Sequence, residues 1–149
     1  MQILKTTSLS ILVLLIGVFA KAQDLKFNTL FLVVGEIAAT NVYESTATVG
    51  FAGAPSKQLE RFKQLIALAN EQQLLDLAAN HKHGVVRLYA LKALVHKKVV
   101  LPVALLSQFK NDAEKVIQLN GCIGTETTVR ALALLYTTRA LVVPAEVEQ

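Results

Sequence analysis

The stretch GVVRLYALKAL, Gly84 to Leu94, is apolar almost all the way round a helix. At about 100° per residue, Val86, Ala90, Ala93 and Leu94 form one face, while Leu88, Leu91 and Val95 cover another. Only Arg87, Lys92 and His96 interrupt that surface. A helix of this kind has to be enclosed by neighbours on several sides, so the rest of the chain must supply helices to surround it.

The flanking segments supply them. SKQLERFKQLIALAN places Leu59, Phe62, Leu65, Ile66 and Ala69 on one face, with Lys57, Glu60, Lys63 and Gln64 largely opposite. It ends at Asn70, which is placed to cap the next helix, EQQLLDLAAN, with Gln73 reaching back in a capping box. That helix offers Leu74, Leu75, Leu77 and Ala78 to a core. LPVALLSQFKND follows the central stretch, with Pro102 tolerated at a helix start and Leu105, Leu106 and Phe109 facing inward. In AEKVIQLNGCIGTE the glycines 121 and 124 are expected to stop regular structure. TTVRALALLYTTRALVV is expected to form a last helix with Val129, Leu132, Ala133, Leu135 and Tyr136 available for burial. Earlier in the chain, residues 25–40 carry Phe27, Leu30, Phe31, Val34, Ile37 and Ala38 at helical spacing, although LFLVV keeps a strand in contention. STATVGFAGAPS then reads as a linker or docked loop.

Two internal echoes organise this all-α pattern. Val-Arg-x-x-Ala-Leu in VVRLYAL returns 43 residues later in TVRALAL, and LLDLAANHKHGVV is loosely repeated by ALLSQFKNDAEKV about 31 residues on. Such periods belong to solenoids of stacked helix pairs. The block LLDLAANHKHGVVRLYALKAL resembles a HEAT-like repeat, with an apolar first helix, a polar turn and a second helix opening on Val-Arg with Ala three residues on. The resemblance covers roughly Gln58 to Ala140 and implies a short α-solenoid of antiparallel helix pairs. There is also a looser likeness, through AGAPS and GC, to small exported bacterial proteins of unknown function. In a stack of this kind Arg87 is expected to bond across to the next turn, where Asp112 is the candidate partner.

The N-terminal MQILKTTSLSILVLLIGVFAKAQ has a secretory signal peptide's order: Lys5 in a polar head, an apolar run from Ile11 to Ala20, then Ala20-Lys21-Ala22. Cleavage is expected between Ala22 and Gln23, placing the product in the periplasm or outside the cell; an uncleaved anchor is the alternative. The expected organisation is a leader at 1–22, an N-terminal helix and Gly/Pro-containing linker at 23–55, a HEAT-like helical domain at 56–142 and an acidic tail at 143–149.

Removing Lys5 and Lys21 would lower the formal charge from +4 to +2. No basic run interleaved with aromatics remains, which argues against nucleic acid as a partner. The single cysteine, Cys122, excludes an intrachain disulfide and is expected to be a small buried residue in a turn. His81 and His83 flank Lys82 without further ligands at a diagnostic spacing, and no cofactor or metal is expected. No serine sits in a Gly-x-Ser-x-Gly elbow, no glycines form a phosphate loop, and Asp112 with Glu114 reads as a solvated pair. The expectation is a non-enzymatic module that binds an unidentified protein, with Arg87, Lys92, His96 and Asp112 as candidate partner-facing or repeat-stacking residues. The alternative is an envelope-associated structural protein held by its leader.

Overall fold

The computed structural model describes residues 25–141. The expected leader, its cleavage point between Ala22 and Gln23, and the acidic tail all lie outside the described residues. Helix α1 occupies 25–40. After it come β1 (Val42–Glu44), β2 (Thr48–Val49), β3 (Ala54–Pro55), α2 (Lys57–Leu68), α3 (Glu71–Asn80) and α4 (Gly84–His96). The described residues finish with α5 (Val103–Asn111), β4 (Lys115–Asn120), β5 (Ile123–Thr128) and α6 (Val129–Leu141).

The architecture is mostly helical, but not all-α. Two segments expected to lack regular structure are strands. β1, β4 and β5 form a sheet in that order, β1 parallel to β4 and β4 antiparallel to β5. Asn120 and Ile123 close the β4–β5 hairpin around Gly121 and Cys122, and Gly121 adopts φ 60°, a left-handed conformation that glycine reaches without a Cβ clash. Gly121 therefore turns a hairpin where regular structure was expected to stop, and Gly124 lies within β5, paired with Leu119. Cys122 is exposed at its tip, contrary to the expected burial. The segment read as a linker is docked too: β2 and β3 form an antiparallel ribbon, and the Gly50 N–H donates to the Gly121 carbonyl.

The helix ends follow local chemistry. The Ser56 Oγ accepts from the Leu59 N–H at 2.9 Å, and Asn70 with Gln73 forms the reciprocal capping box at 2.8 and 2.9 Å. Thr128 Oγ1 accepts from the Ala131 N–H at 3.2 Å, starting α6.

The core sits on α4. Every residue from Gly84 to Leu91 is buried, as are Ala93 and Leu94. Leu30, Val33 and Ile37 of α1, Phe62 and Leu65 of α2, Leu74 and Ala78 of α3, Leu105 and Phe109 of α5, Val116 of β4, and Val129, Leu132 and Ala133 of α6 complete it. Leu135, expected inside, is exposed, and so is Leu134. They fall on the side of α6 away from Leu132 and Ala133.

At Gly84 the start of α4 lies tight against the start of α6. A Cβ there would lie 2.4 Å from Val129 Cγ2 and 3.0 Å from the Glu114 carboxyl carbon. Gly84→Ala is therefore expected to destabilise the fold by about 1–2 kcal/mol despite alanine's better helix propensity. Urea unfolding of Gly84→Ala, Val129→Ala and the double variant checks this, because Val129→Ala removes the clashing methyl and the double variant should cost less than the sum.

Candidate functional site

Four clusters of side chains hold what chemistry the described residues contain. The first is built on Arg87, which the first turn of α4 places against the segment leaving α5. Its Nε and Nη2 donate to Asp112 Oδ2 at 3.0 and 2.6 Å, so the ion pair expected from the repeat pattern is formed. Nη2 also donates to Glu114 Oε2 at 2.6 Å, and Nη1 to the His81 carbonyl at 2.7 Å. The planar guanidinium thus spans two carboxylates and a carbonyl, which a lysine could not do.

Glu114 was expected in solvent. Its other oxygen instead accepts the Gly84 N–H at 2.8 Å, at the positive end of α4. A hint lay in Asp112-Ala113-Glu114, since two carboxylates two residues apart in extended chain can share one forked donor. Burial alone would raise the Glu114 carboxyl. The Gly84 N–H and the Arg87 guanidinium outweigh it and hold the group below its ordinary value. A carboxyl depressed in the folded state stabilises above its unfolded value and loses that contribution as pH falls through the folded one. Stability should therefore drop as pH is taken below about 4.5. Glu114→Gln should flatten that part of the curve, as chemical denaturation at stepped pH would show.

Lys92 belongs to a different cluster. Its Nζ lies 4.6 Å from the centroid of Phe62, 5.7 Å from Tyr43, 5.8 Å from Tyr89 and 6.0 Å from Tyr136. All three tyrosines of the chain therefore meet around one ammonium. The Tyr43 and Tyr136 hydroxyls are hydrogen-bonded to each other. Burial pulls the Lys92 amine below its ordinary value, and ring faces supply the negative potential that would otherwise come from a carboxylate. Burial also pushes the Tyr89 hydroxyl well up. Lys92 is a packed element of the core's edge more than a partner-facing charge. His96 is exposed at the end of α4 and joins neither cluster.

A third cluster has no counterpart in the sequence reading. Glu44 is buried and its Oε2 accepts from the Ser56 hydroxyl at 2.5 Å and the Gln58 N–H at 3.4 Å, at the N-terminus of α2. Gln58, also buried, donates through Nε2 to the Val42 carbonyl at 2.9 Å and the Ile37 carbonyl at 3.4 Å. Its Oε1 accepts from Arg61 Nη1 at 3.1 Å. This network fastens α1, β1 and α2 together. The exposed-looking Gln58, between Lys57 and Leu59, carries no local signal for it.

The remaining feature is apolar. Leu25, Phe27, Phe31 and Leu32 are 70, 61, 71 and 65 % exposed, all within the first two turns of α1. Phe27, Phe31 and Val34 face Leu77 of α3 across a groove of about 300 Å³, with Asp76 and His81 on its rim. Exposed apolar side chains gathered beside polar ones mark an interaction surface more often than isolated ones do.

The His81 and His83 rings lie 5.7 Å apart, and the His81 imidazole is held below its ordinary value, chiefly by burial. Among the described residues no three His, Cys, Asp or Glu side chains gather where a metal ion could be held. Among them, too, no helix is long and apolar enough to cross a membrane. No protein-family model matches this chain, and neither does any curated protein or solved structure.

Proposed function

We propose that this protein is a non-enzymatic, exported helical-repeat module that binds another protein through the groove between α1 and α3. The observation that carries the reading is the cluster of exposed Leu25, Phe27, Phe31 and Leu32 beside that groove. An amphipathic helix offering apolar side chains three and four residues apart is the partner geometry that fits it.

The repeat part of the reading rests on spacing. α5 ends 31 residues after α3, at Asn111 and Asn80, whereas α6 begins 45 residues after α4, at Val129 and Gly84. The difference of 14 residues is the length of the hairpin from Lys115 to Thr128. The pairs α3/α4 and α5/α6 are then two units of one stack, the second carrying an insertion in its turn. The flanks of the insertion are tied together, since Val129 and Arg130 donate their N–H groups to the carbonyls of Glu114 and Asp112 at 2.9 Å each. The Arg87 to Asp112 ion pair joins the first unit to the turn of the second, a contact between neighbours in the stack.

A photoreactive phenylalanine analogue at position 31, in the full chain in its producing cell, tests the groove. The expected result is a discrete covalent adduct at 31, absent with the analogue at the exposed Glu60 and lost when Phe27→Asp is added. The same adducts at 31 and 60, or none at 31, would overturn the reading. A second reading, a protein held at the envelope by a retained leader, is favoured by one fact: the exposed apolar turns of α1 follow closely on the Ile11–Ala20 run. N-terminal sequencing separates the two, and a chain starting at Gln23 ends the second.

A further inference from the structure

The two edges of the β1-β4-β5 sheet are finished differently. On β1 the backbone groups facing away from β4 are taken by side chains. The Val42 carbonyl accepts from Gln58 Nε2 at 2.9 Å, the Glu44 N–H donates to the Tyr89 hydroxyl at 3.0 Å, and that hydroxyl donates to the Glu44 carbonyl at 3.3 Å. On β5 nothing comparable happens. It is the terminal strand, no described strand lies beyond it, and Ile123 to Glu126 are exposed. Alternate N–H and C=O groups of a strand paired on one side only point away from its partner.

Edges left open are usually protected by lysine, proline or a bulge. β5, Ile-Gly-Thr-Glu-Thr-Thr, has neither lysine nor proline, and its register against β4 runs unbroken from Lys115↔Thr128 to Asn120↔Ile123. Its one charge, Glu126, is matched within its own sheet by Lys115 Nζ at 2.8 Å. Apolar Ile123 and Ile117 are exposed beside it. The hairpin is also the insertion in the helical stack, so the stack itself does not call for this edge.

We infer that β5 is a self-association edge, pairing antiparallel with β5 of a second copy to give one continuous six-stranded sheet. The strand fits itself. A two-fold axis through Thr125 sets Thr125 against its counterpart and each Glu126 against the Gly124 of the other copy. No like charges then face each other, and the small Gly124 leaves room for the glutamate that reaches back to Lys115. The same register sets Cys122 opposite Thr128, about 20 Å along the strand from the other Cys122, so the association does not depend on a disulfide. This pairing is independent of the α1/α3 groove.

Cysteine cross-linking of the full chain in its producing cell tests the register. Directly opposed, non-hydrogen-bonded residues bring their Cα atoms to about 4.5 Å, within disulfide reach. Thr125→Cys in a Cys122→Ser background should give a covalent dimer on mild oxidation, and Lys115→Cys in that background should not. Equal cross-linking at both positions, or none at 125, would overturn the proposal. Charge swapping gives a second measurement. Differently tagged copies of Thr125→Lys should fail to co-purify with each other, as should copies of Thr125→Glu, because like charges then meet at the axis. Thr125→Lys should co-purify with Thr125→Glu, and failure of that mixed pair, or survival of the like pairs, would count against β5 pairing.

Discussion

Arg87→Ala is expected to lower stability by about 3 kcal/mol, at the lower end of what breaking a buried ion pair costs. Arg87 is 9 % exposed, and its removal strands three acceptors: the Asp112 carboxylate, one oxygen of Glu114 and the His81 carbonyl. The Asp112 side chain is only 13 % exposed, so water restores little there, whereas Glu114 at 35 % can rehydrate and keeps the loss from being larger. Arg87→Lys should recover about half, since an ammonium satisfies one carboxylate but cannot fork to the other partners. The double variant Arg87→Ala/Asp112→Ala should be less destabilised than the two single losses added together, because the orphaned charge is gone. Urea unfolding of the wild type, Arg87→Ala, Arg87→Lys, Asp112→Ala and the double variant reads all three statements. Equal stability of Arg87→Ala and wild type would show that the ion pair merely decorates the fold.

Tyr89→Ala should be costlier, about 4 kcal/mol. The ring is fully buried, 4.9 Å from the Tyr43 centroid and 5.7 Å from that of Phe62, so truncation opens a void between α2, α4 and β1. It also strips the Glu44 N–H of its acceptor and removes one of the four rings around Lys92. Tyr89→Phe isolates the hydroxyl: it keeps the packing and should cost about 1–2 kcal/mol, the penalty for an unpaired buried N–H. A denaturant midpoint that falls for Tyr89→Ala and by much less for Tyr89→Phe, with slopes unchanged, would match. Loss of the same size in both would assign the stabilisation to the hydrogen bond and not to the ring.

Much of the helical part was legible because its signals are local. The apolar circumference of Gly84–Leu94 foretold burial between neighbours, and Asn70 with Gln73 foretold the capping box. Arg87 and Asp112 were paired on the HEAT-like resemblance, which sets the arginine against the next turn. The sheet was not legible, since its strands are short and answer to partners far away in sequence. VYE in β1 has no alternation to read, and KVIQLN shows as much helical as strand spacing until Gly121 turns it back on itself. The two echo lengths, 43 and 31, differ by roughly the length of the β4–β5 hairpin, which no local signal marks. Glu114 was read as solvated, and Glu44 and Gln58 escaped notice, because what buries them is the approach of another element, not their immediate neighbours. For Lys92 the charge drew attention, while the four rings that define its surroundings come from α2, α4, α6 and β1.

The parallel pairing of β1 with β4 bears on the order in which the molecule assembles. The Ser45 hydroxyl and the Leu119 carbonyl it bonds are 74 residues apart, whereas α3 and α4 meet across a turn of three residues. Closing a loop of that length is entropically dearer than docking adjacent helices, and distant pairings tend to slow folding. A chain made from its N-terminus would produce β1 early and leave it without its neighbour until residue 119 has emerged. During that interval the edge of β1 that β4 covers is unsheltered, and a chaperone that recognises short extended apolar segments would find its opportunity there.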